Sequence, residues 1–231
     1  MSSPGVRASA TGHALDRACM RTRIRELLVS RILDGVYPAG FHLKELALAG
    51  EFKVSQAPVR EALRELETMG LVIAEPYRGT RVRSTDVAEM LDAYELRATI
   101  EVRSVELGMP FPDAVCEALA ADMERIRQGY GALDNATYLP AVLAFHRRLV
   151  EASGNRAFLA TWDSFHWDVR ARVLLRRIAE SGTDYSASVG LHEVILDRVR
   201  AGDTAGATVA VREAFASFLS AFRQALTSQG P

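Results

Sequence analysis

The chain has 231 residues, 48% hydrophobic and 25% charged, with a net charge of −1 at pH 7. That composition excludes collagen-like, low-complexity and wholly disordered chains, and the length suits one large or two smaller domains. No apolar run reaches the roughly 18 residues of a membrane helix, no secretory leader is visible, and Cys19 and Cys116 form no metal or redox spacing, so a cytoplasmic protein with free thiols and no membrane partner is expected.

Residues 1–14 lack apolar periodicity and are expected to form a disordered tail. Ile24, Leu27, Leu28 and Ile32 recur at helical spacing and predict a helix over Leu15–Leu33, which the Gly35–Gly40 segment breaks. A short helix follows over Lys44–Phe52 and a third over Gln56–Met69, with Gly70 as its terminating glycine. Two β-prone runs, 71–75 and 80–83, flank Pro76-Tyr77-Arg78-Gly79 and predict a hairpin. From Asp86 the pattern is helical throughout, with helices expected over 86–108, 113–129, 135–153, 155–180, 185–201 and 203–227. The predicted architecture is mainly α: a winged helix-turn-helix over 15–84, then an all-helical bundle over 85–228.

The overall charge hides an asymmetry. Residues 1–84 hold 13 Lys/Arg against 9 Asp/Glu, whereas residues 85–231 hold 15 against 20. A basic head joined to an acidic back suggests two modules with different partners.

In the head, Ser55 stands at the N-cap position of the third helix, where its hydroxyl can accept from the amide of Ala57. Pro58 falls in the first turn, where a missing N–H costs little. Val59, Ala62, Leu63 and Leu66 mark a buried stripe, and Gln56, Arg60 and Arg64 share the opposite face. An amide and two guanidiniums on one face suit a major groove, Gln pairing with adenine and Arg with guanine or phosphate. Arg78 and Arg81 flank Gly79 at a wing tip. Glu45 and Ala57 complete the candidate DNA-binding set. A solvated face with incidental arginines is the bland alternative; the helix-turn-helix spacing and the basic hairpin outweigh it.

These residues carry a resemblance. The Gly35–Gly40 turn, the run Val54-Ser55-Gln56-Ala57-Pro58-Val59-Arg60-Glu61-Ala62-Leu63, then Gly70-Leu71-Val72 and Arg78-Gly79-Thr80-Arg81-Val82 resemble the DNA-binding domain of GntR-family regulators. The resemblance implies that Ser55, Gln56, Arg60 and Gly79 occupy DNA-contact positions. Gln56 replaces the family's commonest base-reading arginine, and Leu46 and Ala47 stand where polar residues are usual. Residues 86–227 are similar to the helical effector domain of the FadR-type branch, through Tyr94-Glu95-Leu96-Arg97 with Ile100-Glu101, Phe145-His146, Leu191-His192 and Ala201-Gly202-Asp203.

Many members of that branch hold a divalent metal through one Asp and three His. Here His146 and His192 match, but Val142 and Ala214 replace the other ligands. Two imidazoles hold zinc or nickel weakly, so the divalent-metal site is incomplete and no cofactor is expected. His166 is a candidate replacement ligand. The competing expectation is a pair of hydrogen-bonding core histidines lining a cavity. Arg97, buried on a helix, needs an anion: an effector carboxylate or phosphate, or Glu101. Trp162, Phe165 and Trp167 read as core or interface aromatics.

The expected function is a ligand-responsive transcriptional repressor, a homodimer on a palindromic double-stranded DNA operator, with a small-molecule effector, an organic acid, near Arg97, His146, His192 and His166. The alternatives are a constitutive regulator with a decayed effector site and a helical metalloenzyme. No nucleophile elbow, H-E-x-x-H or phosphate loop supports an enzyme.

Overall fold

The computed structural model describes residues 10–75, 78–84, 86–131 and 135–228. The chain divides into two compact units, 1–85 and 86–231.

In the first unit, α1 spans Ala10–Leu33, α2 Glu45–Phe52 and α3 Gln56–Thr68. The first helix therefore begins five residues before the expected Leu15, and residues 1–9 of the predicted tail lie outside the described residues. The predicted stripe of α3 is buried, with Val59, Ala62 and Leu66 at 0% exposure, and α3 packs against α1. Gly70 ends α3 at φ 72°: its amide reaches the carbonyl of Glu67, and that of Leu71 reaches Leu66. This is a Schellman closure, which needs a left-handed residue and therefore favours glycine.

The hairpin forms from β2 (Val72–Glu75) and β3 (Gly79–Val82). Pro76 and Tyr77 of its expected turn lie outside the described residues. A strand the sequence did not announce, β1 (His42–Leu43), pairs antiparallel with β3 and makes β3 the central strand. Two residues carry no alternation to read; tertiary packing of Leu43, 2% exposed, decides their conformation.

The second unit contains α4 (Val87–Gly108), α5 (Asp113–Gly131), α6 (Asn135–Ala152), α7 (Arg156–Ser164), α8 (Trp167–Ser181), α9 (Ser188–Arg200) and α10 (Thr204–Ser228). Asp86 caps α4 by accepting from Ala88, and Asn155 caps α7 by accepting from Ala157 and Phe158. Helix α10 packs on α4, α8 and α9, and α6 lies between α4 and α5. The helix expected over 155–180 is two helices, broken at Phe165-His166 with His166 at φ 48°. No glycine or proline marks this break. In one continuous helix, Trp162 and Trp167 would point about 140° apart. The break lets both indoles be buried, at 5% and 3% exposure, around one guanidinium, that of Arg97.

Candidate functional site

Two clusters concern function, one in each unit. In the head, Ser55, Gln56, Ala57, Arg60 and Arg64 are all exposed along the outer side of α3, opposite its buried stripe. Ser55 has the extended backbone of an N-cap, but its side chain makes no capping hydrogen bond. The expected bond to Ala57 is thus corrected; the hydroxyl stays exposed and available to an outside acceptor. Arg60 is gripped by Glu45 of α2: its Nε lies 3.1 and 3.0 Å from the two carboxylate oxygens, and a terminal nitrogen 2.9 Å from one of them. That contact raises the Arg60 pKa above its ordinary value, through the hydrogen bond first and the opposite charge second. In the wing, Arg78 and Gly79 are exposed, Gly79 has φ 84°, and Arg81 donates to Glu75 at 2.6 Å. Leu46 of α2 is 72% exposed, beside Glu45.

In the bundle, a cavity of about 50 Å³ opens among α4, α6, α8, α9 and α10. That is several times the roughly 10–15 Å³ one water needs. Its walls include Arg97, His146, His192, Val142 and Ala214, all named from the sequence, with Tyr94, Tyr138, Tyr185, Phe215 and Phe218. The tyrosines and phenylalanines were not anticipated as wall residues, because an aromatic at helical spacing looks like core until the helices are assembled. His166 is not in the wall; it occupies the α7–α8 break, where its positive φ turns the chain.

Beside this cavity lies Glu101, 0% exposed, which the sequence marked only as a partner for Arg97. One carboxylate oxygen accepts from Arg97 Nε at 2.7 Å and from Trp162 Nε1 at 2.9 Å; the other lies 2.5 Å from His146 Nδ1. Glu101 thus gives Arg97 an internal counter-ion through Nε. The guanidinium also stands over the rings of Tyr94, Trp162, Trp167 and Phe215 at 5.0–5.6 Å. Burial would raise the Glu101 carboxyl, but the His146 and Arg97 charges and the hydrogen bonds outweigh it and hold the group well below the usual carboxylate range.

The proton positions follow from the partners. His192 Nδ1 lies 2.6 Å from the carbonyl of Ser188, so it donates there. Burial, reinforced by the His146 charge, pushes His192 down to about 3, which keeps it neutral with a lone pair on Nε2. His146 Nε2 lies 3.1 Å from that atom, and His146 Nδ1 lies 2.5 Å from Glu101. Tyr94 lends a buried hydroxyl to the wall, and burial, opposed by the neighbouring Arg97, raises it to about 12.

The donor set does not fit a divalent metal ion. His146 and His192 turn their Nε2 atoms toward each other, but Val142 and Ala214 offer no donor, and Glu101 meets His146 on its other nitrogen. Among the described residues, no group of three or more His, Cys, Asp or Glu could hold a metal.

Comparison with known proteins agrees with this division into two units. The profile for bacterial regulatory proteins of the gntR family matches residues 20–82, and that of the FCD domain matches residues 92–217. A protein from Paenarthrobacter nicotinovorans named "Probable D-xylose utilization operon transcriptional repressor" is 28% identical over 92% of this chain and 92% of its own length. The gluconate operon transcriptional repressor of Bacillus licheniformis is 25% identical over 82% of this chain and 79% of its own. An uncharacterized HTH-type transcriptional regulator of Streptomyces ambofaciens is 32% identical over 75% and 72%. Among solved structures, E. coli McbR/YncC superposes with a TM-score of 0.70 at 18% identity, covering 89% of this chain and 97% of that one, which shows a shared fold. No helix among the described residues is long and apolar enough to cross a membrane.

Proposed function

Because the chain belongs to the GntR family of bacterial DNA-binding transcription regulators and carries an FCD domain, we propose that it is a ligand-responsive repressor that binds a palindromic operator as a homodimer and answers to a small organic acid. The observation that carries the effector reading is a bundle cavity whose wall holds the Arg97 guanidinium together with His146, His192 and the side chains of Tyr94, Tyr138 and Tyr185. A carboxylate would engage the Arg97 guanidinium at the cavity wall, and the tyrosine hydroxyls would supply directed hydrogen bonds. The homodimer is supported by reach: one recognition helix reads only a few base pairs, so specific affinity calls for two heads on two half-sites. Repression is supported by relatives named as repressors. For an effector to release DNA, it must bind the two states of the protein with different affinity.

The test begins with selection of duplexes from a randomised library by the full-length chain, followed by fluorescence anisotropy on the enriched sequence. A palindromic site bound by two chains is expected. Gluconate and related sugar acids form the first effector panel, since one relative is named for a gluconate operon. The expected acid weakens DNA binding and raises the melting temperature, as preferential binding to the folded state requires.

A second reading, a constitutive regulator, has one observation in its favour. Glu101, His146 and His192 already satisfy one another, so the cluster is stable without a ligand. Intact operator binding with no response to any anion in the panel would select it.

A further inference from the structure

The pair that joins α2 to α3 is placed where it contributes little to stability. Glu45 and Arg60 side chains are 32% and 53% exposed, and an ion pair this open to solvent is largely screened. A carboxylate on a face meant for DNA also repels phosphate, so its presence needs a reason other than attraction. The geometry supplies one. A guanidinium has two usable edges, one formed by Nε and a terminal nitrogen, the other by the two terminal nitrogens. Glu45 occupies the first edge with three contacts of 2.9–3.1 Å. The remaining edge carries two parallel N–H groups at the tip of the side chain, the arrangement that matches O6 and N7 of a guanine in the major groove.

We propose that Glu45 is a positioning residue for base readout: it holds Arg60 by one edge so that the other reads a single guanine in each half-site. This rests on the operator-binding reading above and adds to it the base that Arg60 recognises and the residue that orients it. Arginine otherwise spreads its charge over many rotamers and neighbouring phosphates, gaining affinity without discrimination. The Glu45 carboxylate suppresses that alternative by repelling phosphate and fixing the guanidinium plane.

The experiment uses the full-length chain and the duplex enriched from a randomised library. Each base pair is replaced in turn, and dissociation constants are measured for the unmodified protein and Glu45→Gln at one salt concentration. The unmodified protein should prefer guanine at one half-site position by roughly 10–100-fold, the range of a good bidentate pair. Glu45→Gln should reduce the preference at that position to less than about threefold, while preferences elsewhere persist and binding to a random-sequence duplex stays equal or tightens. Replacing that guanine by 7-deazaguanine, which lacks the N7 acceptor, should weaken the unmodified protein about tenfold and Glu45→Gln hardly at all. An unchanged thermal melt of the variant would accompany this result.

Three outcomes overturn the inference alone: guanine preference retained in Glu45→Gln, equal loss at every position with a lowered melt, or tighter binding to the enriched site with unchanged preference. The last would mean that Glu45 sequesters Arg60 rather than aiming it. Failure to enrich any duplex would overturn the operator-binding reading, and this inference with it.

Discussion

Glu101 is the residue on which the bundle cluster turns, because its negative charge, fully buried, answers Arg97 and lies against His146 and Trp162. Glu101→Gln would leave the Arg97 charge uncompensated, and breaking a buried pair in this way costs about 3–5 kcal/mol. The expected outcome is a large drop in the urea midpoint of the full-length protein. His192 makes a separate prediction about pH. Its pKa is near 3 in the fold but ordinary in the unfolded chain. Between those values the unfolded chain binds a proton that the folded one does not, so this stability is complete above about pH 6.5 and declines as pH falls. Glu101, also depressed, acts in the same direction at lower pH. Unfolding free energy between pH 7 and 5 should fall, by up to about 1.4 kcal/mol per pH unit from His192, and melting temperatures should fall with it. His192→Gln should flatten that slope; an unchanged slope would assign it to another group. In the head, Arg60→Ala should cost about 1–3 kcal/mol of binding to the enriched duplex, read by anisotropy.

Among the elements, α3 is held by shape and α7–α8 by what they surround. Leu66 is wholly buried beneath α3, so Leu66→Ala should destabilise the head by about 2–5 kcal/mol, visible as an early transition in thermal melts. The α7–α8 break places His166 in the left-handed region, which costs an L-residue about 1–2 kcal/mol. His166→Gly relieves that cost and leaves the cavity wall untouched, since the side chain is not part of it. A slightly higher melting temperature with an unchanged effector response is expected. A lost response would assign His166 a binding role that its position does not suggest.

For the whole molecule, the two units carry opposite charge and different chemistry: a basic head with an exposed guanidinium face, and an acidic bundle with a cavity among its helices. The full-length protein should run as a dimer by light scattering at micromolar concentration. As purified it should carry well under one equivalent of divalent ion by elemental analysis, because Val142 and Ala214 supply no donor to the two imidazoles. The double substitution Val142→Asp and Ala214→His should raise that toward one equivalent of zinc or nickel. Stoichiometric metal in the unmodified protein would overturn this account of the cavity.

Features that depend on neighbours along the chain are legible in the amino-acid order. The α3 stripe of Val59, Ala62, Leu63 and Leu66, the Gly70 terminus, the β2–β3 hairpin and the bundle helices other than α7–α8 could be read from periodicity and punctuation. So could the exposed set Gln56, Arg60 and Arg64, since a helix of known register has a known outer face. His146 and His192 could be named, but their protonation and orientation could not. These depend on Glu101, 45 residues before His146, on Trp162, 61 residues after Glu101, and on the His146–His192 contact across 46. The same holds for β1, too short for a pattern, and for the α7–α8 break, where two indoles converge on Arg97. Local sequence records which face of an element is apolar. Only assembly decides which buried charge meets which, because a buried ion's partner is set by proximity in space rather than by position along the chain.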